Sequence, residues 1–502
     1  MAKFLMKTSD CQRKKVIVCY QKRSVLLLAC VALAACGVTP LGPNSERPVL
    51  EVPASLTAKP AGASSTVVDW LAWWQSFQDP VLDALLQEAA ANSQDLKLAS
   101  ARIDEARTAI LLNDANFVPG VDLTAGASRK RGSQNASTFN AAAGPYSNDR
   151  QIGLQASYEI DFWGKYARAD EAARARLLAQ SATRGTVQTT LYANVVQAYV
   201  NLRALDAQLT LAEQTLATRQ ENLRLQQRRF QGGVVGELDL RQAESEAASV
   251  QATAQQTRQS RGNAEAALAL LVGRSPAAIA NPVLARGAEF DALFARQSVP
   301  ANLPSDLLNR RPDVVSAEQA LMAANADIGQ ARSVYFPRLS FTAALGQQSK
   351  DFGNLFSPAS LFWSLAGNLA QPIFHGGSGD ATVAAATARQ RQALAQYTQA
   401  VQSAFRDVHD ALNNVDAGRE VAATTAQRIA ALKSSLRLSQ LRYQSGYSPY
   451  LEVLNAQRDL AQAEVGLIEV QRGQLVAVVG LYKALGGGWD AGALEARRGD
   501  GK

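Results

Sequence analysis

The sequence predicts an α+β membrane protein in which one structural unit occurs twice. Three observations lead to this prediction. They are an internal repeat with a period of roughly two hundred residues, two pairs of segments in which apolar and polar residues alternate, and two very long helical stretches without proline. Together they indicate that each copy contributes two strands and a long helical hairpin.

The internal repeat is visible by direct alignment of the chain with itself. Residues 223–233 match residues 436–446 at an offset of 213, with leucine, arginine, an aromatic residue and glycine in the same order. Further upstream, the aromatic-Pro step at 117–119 aligns with the one at 335–337 at an offset of 218. Two copies of one unit were therefore joined, with a few residues of length difference between them.

Four segments show the alternation that is typical of strands with one apolar face. The predicted strands cover about 117–129, 150–162, 335–348 and 360–374. Each is near the length that a tilted transmembrane strand needs. The residues expected to face lipid are Ile152, Leu154, Ala156, Tyr158, Leu339, Phe341, Leu361, Trp363 and Leu365.

Four strands cannot close a barrel, and an open sheet edge cannot face lipid because its backbone groups would lack hydrogen-bond partners. The chain is therefore predicted to oligomerise. The alternative reading of these segments is a half-buried sheet in a soluble domain.

The long helical stretches run from about 167 to 231 and from about 381 to 444. At ~1.5 Å per residue, each would extend on the order of 100 Å. Leu202, Leu209 and Leu216 keep heptad spacing, and the residues between them are mostly Ala, Gln, Arg and Glu. A stripe this narrow is typical of helices that pack sideways while one face stays wet, as in the wall of a water-filled tube.

The N-terminus has the layout of a secretory signal, with basic residues before an apolar run at 25–35. The run ends in Leu33-Ala34-Ala35-Cys36-Gly37, which resembles the lipobox of bacterial lipoproteins. Cleavage before Cys36 would leave one thiol, which would be acylated, so the mature chain could form neither a disulfide nor a thiolate metal site. A weaker rival site is Cys30, and an ordinary signal peptide is the alternative.

The charge balance of the mature chain gives no evidence for nucleic-acid binding. Residues 1–35 hold seven Lys or Arg and one Asp, a net charge of +6 out of +7 for the whole chain. The sequence pI of about 9.2 therefore reflects the signal segment.

Several motifs, in order over some four hundred residues, resemble the TolC-like outer-membrane factor family, in its lipid-anchored branch that serves RND-type efflux pumps. They include Trp73-Trp74-x-x-Phe77-x-Asp79-Pro80, Arg310-Arg311-Pro312-Asp313, Tyr335-Phe336-Pro337, Gln371-Pro372-Ile373-Phe374, Arg442-Tyr443-x-x-Gly446 and Leu481-Tyr482-Lys483-Ala484-Leu485-Gly486. Asp79-Pro80 also has a plain structural reading, as a helix N-cap followed by proline at the first helical position.

The resemblance implies a homotrimer with one twelve-stranded outer-membrane β-barrel, to which each subunit gives four strands. A long periplasmic α-helical barrel with an equatorial domain would continue it. The implied partners are a periplasmic adaptor (membrane fusion) protein, an inner-membrane RND transporter and outer-membrane lipid, with no cofactor beyond the covalent lipid. The expected organisation is a signal peptide at 1–35, a lipid-anchored segment at 36–66, a first repeat at 67–280, an equatorial linker at 281–311, a second repeat at 312–489 and a polar tail at 490–502.

The same resemblance implies a gate at the periplasmic end. The hairpin turns that carry Gly233 and Gly446 would form its closed tip. Glu452 falls on an acidic ring of the family, whereas Asn455 stands where the family usually has Asp.

Four further residues match gate positions. Leu451 and Arg458 correspond to neighbouring positions in the lipid-anchored branch, and Tyr443 and Asp239 to a pair that links adjacent hairpins in the closed state. Without the resemblance, all of these would be read as ordinary residues of a helix surface.

No catalytic pattern competes with a transport function. The chain has no Gly-x-Ser-x-Gly, no P-loop lysine and no His-Glu-x-x-His, and its two histidines, His375 and His409, stand singly. The remaining alternatives are a periplasmic adaptor or coiled-coil scaffold and a surface-anchored enzyme. The sequence leaves the cargo open.

Overall fold

The computed structural model describes residues 41–43, 48, 51, 69–135, 137, 142, 144–296 and 310–490. The predicted signal peptide and Cys36 lie outside the described residues, as do most of the segment 36–66, part of the linker 281–311 and most of the tail 490–502. The chain divides into two compact units. The strand unit comprises 1–45, 109–173 and 323–390, and the helical unit comprises 46–108, 174–322 and 391–502.

The strand unit contains a four-stranded antiparallel sheet. Its strands, in spatial as in chain order, are β1 (Gly120–Arg131), β2 (Tyr146–Ile160), β3 (Arg338–Ser349) and β4 (Leu361–Ala370). The four predicted strands are confirmed, although β1 and β3 begin three residues later than expected and β2 begins four residues earlier. A single 3-10 turn precedes each of them, at Ala115–Phe117 and Ser333–Tyr335.

The C-terminal end of β4 also differs from the expectation. The strand ends at Ala370 and not near 374. Pro372 follows two residues later, and proline has no N–H to donate to a strand ladder.

The register places the predicted lipid-facing residues on one side of the sheet. Leu154 of β2 lies opposite Leu123 of β1 and Leu345 of β3, and Leu345 lies opposite Trp363 of β4. Directly opposite residues share a face and alternate residues share it along a strand, so these four side chains form one row. The face that carries them is called the wall face below; Leu123 is 71% exposed and Trp363 is 74% exposed within the chain.

The helices in the described ranges are named in chain order. They are α1 (Pro80–Asn92), α2 (Gln94–Asp114), α3 (Lys165–Gln231), α4 (Glu237–Leu271), α5 (Pro276–Ala280), α6 (Phe290–Arg296), α7 (Pro312–Arg332), α8 (Ser378–Gln444) and α9 (Tyr450–Ala484). None of them is both long and apolar enough to cross a bilayer.

The helix lengths confirm the two-fold repeat. Helices α3 and α8 have 67 residues each, and α4 and α9 have 35 each. Their first and last residues are separated by the offset of 213 that the sequence alignment gave. The long helices begin two or three residues before their predicted starts at 167 and 381.

The core of the helical unit joins the N-terminal aromatic motif to the end of the second repeat. The indole of Trp73 is 1% exposed and stacks on the ring of Tyr482, with centroids 5.0 Å apart. The N–H of Gly488 donates to the carbonyl of Trp70 at 2.8 Å. These contacts hold the first and the last of the sequence motifs together, although about four hundred residues separate them along the chain.

Asp79 caps α1 as its sequence context predicts. Its Oδ1 accepts the N–H of Val81 at 2.9 Å, and Pro80 occupies the first helical position. The other oxygen, Oδ2, accepts the hydroxyl of Tyr199 at 2.6 Å and the N–H of Ala288 at 2.9 Å. The buried carboxylate therefore binds α1, α3 and the segment before α6 at one point.

Candidate functional site at the helical hairpin turns

The two hairpin turns have the same backbone geometry. After α3, Gly233 has φ of 68°, and the N–H of Val234 donates to the carbonyl of Arg229 at 2.8 Å. After α8, Gly446 has φ of 75°, and the N–H of Tyr447 donates to the carbonyl of Arg442 at 2.9 Å. This is the Schellman arrangement, which requires a left-handed residue that glycine adopts without strain.

Two tyrosines fill the space beside the second turn. The rings of Tyr443 and Tyr450 lie 5.4 Å apart, in a small core with Ala243, Val453 and Leu454. Burial raises the pKa of Tyr450 to about 12, so its hydroxyl stays protonated at physiological pH. The core joins α4 to α9 just behind the turns.

The hydroxyl of Tyr443 binds residues of α3. It accepts Nε2 of Gln226 at 3.3 Å and Nη1 of Arg229 at 3.4 Å, and the Arg229 guanidinium lies 5.9 Å from the tyrosine ring centroid. Asp239 is half-buried on α4, and among the described residues no hydrogen bond joins it to Tyr443. The single chain therefore does not bring this predicted pair together, and their link in the assembled protein stays a prediction.

The other predicted gate residues share the exposed face of the first turns of α9. Leu451, Glu452, Asn455 and Arg458 are all exposed, whereas Tyr450, Val453 and Leu454 are buried. Positions 451, 455 and 458 follow the spacing of one helix face. Within the part of the chain that the structure describes, the one ion pair of Glu452 is a loose one, with Nη2 of Arg442 3.9 Å from its Oε1. This exposed face can therefore line a water-filled space.

A charge cluster that was not predicted from the sequence extends from this face into the interior of the helical unit. Glu246 of α4 lies between Arg219 of α3 and Arg458 of α9. Its Oε1 is 3.5 Å from Nε of Arg219, and its Oε2 accepts Nε of Arg458 at 2.6 Å. The side chains of Arg219 and Glu246 are each 6% exposed. Arg219 also donates to Oε1 of Gln457.

The cluster joins three helices through ion pairs: the Arg219–Glu246 pair is buried, whereas the side chain of Arg458 is 52% exposed. Burial lowers the pKa of Arg219, and the negative charge of Glu246 opposes that effect. The sequence carries a signal for it: Arg219 and Glu246 each fall on the stripe of small and apolar residues along their helices. A charge at such a position on two neighbouring helices indicates a buried pair.

The described residues contain no group of three or more His, Cys, Asp or Glu side chains that could hold a metal ion. The site instead consists of the solvent-exposed face of α9 beside the two hairpin turns at Gly233 and Gly446. A four-stranded sheet with one largely exposed apolar face, followed by helical hairpins of this length, defines the class of channel-forming outer-membrane proteins.

Comparison with known proteins identifies the family within that class. The model of the family described as "Outer membrane efflux protein" matches residues 85–274 and 303–487. The chain is 33% identical over 470 residues to the cation efflux system protein CusC of Escherichia coli O6:H1, covering 92% of this chain and 98% of that protein. It is 35% identical over 477 residues to the pyoverdine export outer membrane protein OpmQ of Pseudomonas aeruginosa, covering 94% and 98%.

A solved structure has the same fold. The outer membrane channel CmeC of Campylobacter jejuni superposes with a TM-score of 0.81 at 26% identity, over 91% of this chain and 98% of that one. The chain belongs to the outer membrane efflux protein family, of the TolC-like type. It is an outer-membrane efflux channel and not an enzyme.

Proposed function

We propose that the chain forms a lipid-anchored homotrimeric exit duct, which works with a periplasmic adaptor protein and an inner-membrane RND transporter. The observation that carries the proposal is the open sheet. Within the described residues, β1 and β4 each pair with one strand only. Their outer edges cannot stay unpaired in lipid, and the β1 edge of one copy is complementary to the β4 edge of the next.

Three copies would supply twelve strands, within the range seen in outer-membrane barrels. The four helices of the two hairpins in each copy would continue the barrel as a periplasmic tube. The hairpin turns, with Gly233 and Gly446 at their tips, are then the natural docking place for the adaptor.

Passive conduction fits the relatives. Their names refer to cations in one case and to pyoverdine in another, on chains that align with this one over nearly their whole length. A channel fold that serves different cargoes in different relatives has little selectivity for its cargo. Selection of the cargo is therefore assigned to the inner-membrane transporter.

The lipid anchor is placed on Cys36. Five residues further on, the chain is held by the strand unit: Nε of Arg168 donates to the carbonyl of Leu41 at 2.9 Å, and Gly42 lies against Gly329. At ~3.4 Å per residue, the tether from Leu41 to Cys36 is at most about 17 Å long. An acyl chain on Cys36 would therefore enter the membrane close to the end of the sheet that leads into the helices.

The periplasmic gate is assigned to the exposed face of α9. Leu451, Glu452, Asn455 and Arg458 would line the constriction, and Glu452 would give the assembled channel a ring of carboxylates that attracts cations. Because Asn455 carries no charge, the acidic ring that the family usually has at this position is lost, and cation binding is expected to be weaker than in a channel that has it. Tyr443 and Asp239 would meet when the hairpins of the closed channel lean together.

Single-channel conductance in planar bilayers tests the gate. Tyr443→Phe and Asp239→Ala should open more often than the wild type, and Glu452→Gln should lose cation selectivity or divalent block. The control is Glu464→Gln, the same change on another face of α9, where the carboxylate lies 3.5 Å from Nζ of Lys433. If all three gate variants conduct like the wild type and the control, the gate assignment is wrong.

A further inference from the structure

The wall face carries a cluster of positive charge at one end. Of the charged residues in β1 to β4, three lie on the wall face, and all three are arginines: Arg129 and Arg131 on β1 and Arg150 on β2. The register fixes this placement, because Arg150 lies opposite Ala127 and Arg131 opposite Tyr146. The other charged strand residues occupy the opposite face; they are Asp122, Lys130, Asp149, Glu159 and Arg338.

Tyr146 holds two of the arginines side by side. The guanidinium carbon of Arg129 lies 5.1 Å from the centroid of the tyrosine ring, and that of Arg131 lies 5.8 Å from it. Both distances are within the range of a cation–π contact. The ring itself is 54% exposed. The guanidinium groups of Arg129 and Arg131, with their N–H donors, therefore lie side by side on the wall face.

No carboxylate of the surrounding strands neutralises this pair. Within the described residues, neither Arg129 nor Arg131 forms a salt bridge. The connection between β1 and β2, residues 132–145, contains no Asp or Glu. The nearest acidic residue on β2, Asp149, lies on the opposite face, where its Oδ1 accepts Nε2 of Gln348 at 2.9 Å.

The cluster stands at the height of a lipid headgroup. On the wall face of β1, the residues from Val121 to Ala127 are apolar, and Arg129 follows them directly. At about 3.3 Å per residue and a tilt of about 40°, the strand from Val121 to Arg129 spans roughly 20 Å of membrane height. The apolar band of an outer-membrane barrel is about 25 Å tall and is bordered by aromatic residues, a position that suits Tyr146.

We propose that Arg129 and Arg131, which both contact Tyr146, and Arg150 on the same face bind the phosphate groups of a glycolipid headgroup in the outer leaflet. The cluster lies at the end of the sheet where the strands are joined by loops, and the opposite end leads into the helices. The guanidinium of arginine can donate two parallel N–H bonds to one phosphate, whereas the ammonium of lysine acts as a point charge and lacks this geometry. The proposal rests on the sheet being the membrane wall of the channel.

Native mass spectrometry of the full-length protein in mild detergent tests the proposal. The probes are diphosphoryl lipid A and monophosphoryl lipid A with the same acyl chains. The wild type should bind the diphosphoryl form more tightly. Arg129→Gln combined with Arg131→Gln should weaken that binding about tenfold or more, because charge-assisted hydrogen bonds are lost.

Two further variants make the test specific. Lys130→Gln removes the same charge from the same strand but on the opposite face, and its affinity should stay within about twofold of the wild type. Arg129→Lys combined with Arg131→Lys keeps the charge and should bind with intermediate affinity, since lysine lacks the bidentate geometry.

Several results would overturn the proposal. Equal losses in the Gln pair and in Lys130→Gln would mean that only net charge matters. Equal binding of the two lipid A forms by the wild type would mean that phosphate is not recognised. An oligomer of the Gln pair that dissociates at a lower temperature, with unchanged lipid binding, would assign the arginines to a carboxylate of a neighbouring copy. If the wild type bound neither lipid, the headgroup site would be wrong; failure of the wall face itself would show separately, as equal tolerance of Leu154→Arg and Gln155→Arg.

Discussion

Asp79 is the residue at which three separate segments of the helical unit meet. Its two carboxylate oxygens accept hydrogen bonds from Val81, Tyr199 and Ala288, and the residue is 1% exposed. Burial raises the pKa of Tyr199, and the bond to Asp79 raises it further. The phenol therefore stays a donor throughout the physiological pH range.

Tyr199→Phe is expected to lower the free energy of unfolding by about 1.5–3 kcal/mol, because a hydrogen bond to a buried carboxylate is lost. The N–H of Gly287, which donates to the same hydroxyl at 3.1 Å, loses its acceptor as well. Denaturant unfolding of the detergent-solubilised protein measures the change. Tyr397→Phe is the control: this tyrosine is also buried, and its hydroxyl has no bond within the described residues. A loss of equal size in both variants would argue against a special role for the Asp79 bond.

Gly329 is the residue of α7 that lets Leu41 and Gly42 lie against this helix within the strand unit. A Cβ at this position would stand 2.1 Å from the carbonyl oxygen of Leu41 and 2.9 Å from Cγ of Arg168. Gly329→Ala should therefore release the segment, although alanine is the better helix former. The expected result is faster cleavage after Glu46 by a glutamyl endopeptidase. Gly262→Ala, where a Cβ meets open space, should leave the cleavage rate unchanged; acceleration in both variants would contradict the docking.

At the scale of the elements, the row across the sheet gives the sharpest test of the wall face. Leu154 and Gln155 are neighbours on β2, but Leu154 lies on the wall face and Gln155 on the other. Leu154→Arg is expected to cost roughly 2–4 kcal/mol if the residue is near the bilayer midplane, and Gln155→Arg to cost little. The amount of folded protein in the outer-membrane fraction reports the difference. Equal tolerance of both changes would show that β2 is not a membrane strand.

The helices are joined by the Arg219–Glu246–Arg458 cluster. Glu246→Gln would leave Arg219 buried without its counter-charge, and breaking a buried pair in this way costs about 3–5 kcal/mol. Glu213→Gln breaks an exposed pair with Arg258, in which both side chains are about half exposed, and should cost less than about 1 kcal/mol. The denaturant midpoints of unfolding of the two variants measure this difference in stability. Similar midpoints would mean that water reaches the cluster.

At the scale of the whole molecule, the proposed lipid anchor would be joined to the chain through one atom, Sγ of Cys36. The mature wild-type protein is expected to carry a lipid mass increment that Cys36→Ser lacks, since serine cannot form the thioether. Each buried CH₂ of an acyl chain contributes about 0.8 kcal/mol to membrane binding. Cys30→Ser serves as the control, because Cys30 would be removed with the signal peptide. An unchanged intact mass of the Cys36→Ser protein would refute acylation at this position.

The elements and their repetition can be predicted from the amino-acid sequence. Alternation of apolar residues, absence of proline over more than sixty residues and glycine at two equivalent turns are local properties, and local sterics and hydrogen bonding act on them directly. This is why the long helices and the strands were predicted to within a few residues. The gate residues on α9 came from resemblance to a family, because nothing in their spacing separates them from an ordinary wet helix face.

The contacts between side chains of different elements become visible only in the folded chain. Tyr443 is joined to Gln226 and Arg229, more than two hundred residues away, and Glu246 lies between arginines of two other helices. The strand register likewise sets Arg129 and Arg131 beside Tyr146 on the wall face. Such contacts depend on the rotation of each helix and the offset of each strand pair. A shift of one residue in register would move every side chain of a strand to the opposite face, and the sequence of one strand does not contain the position of its neighbour.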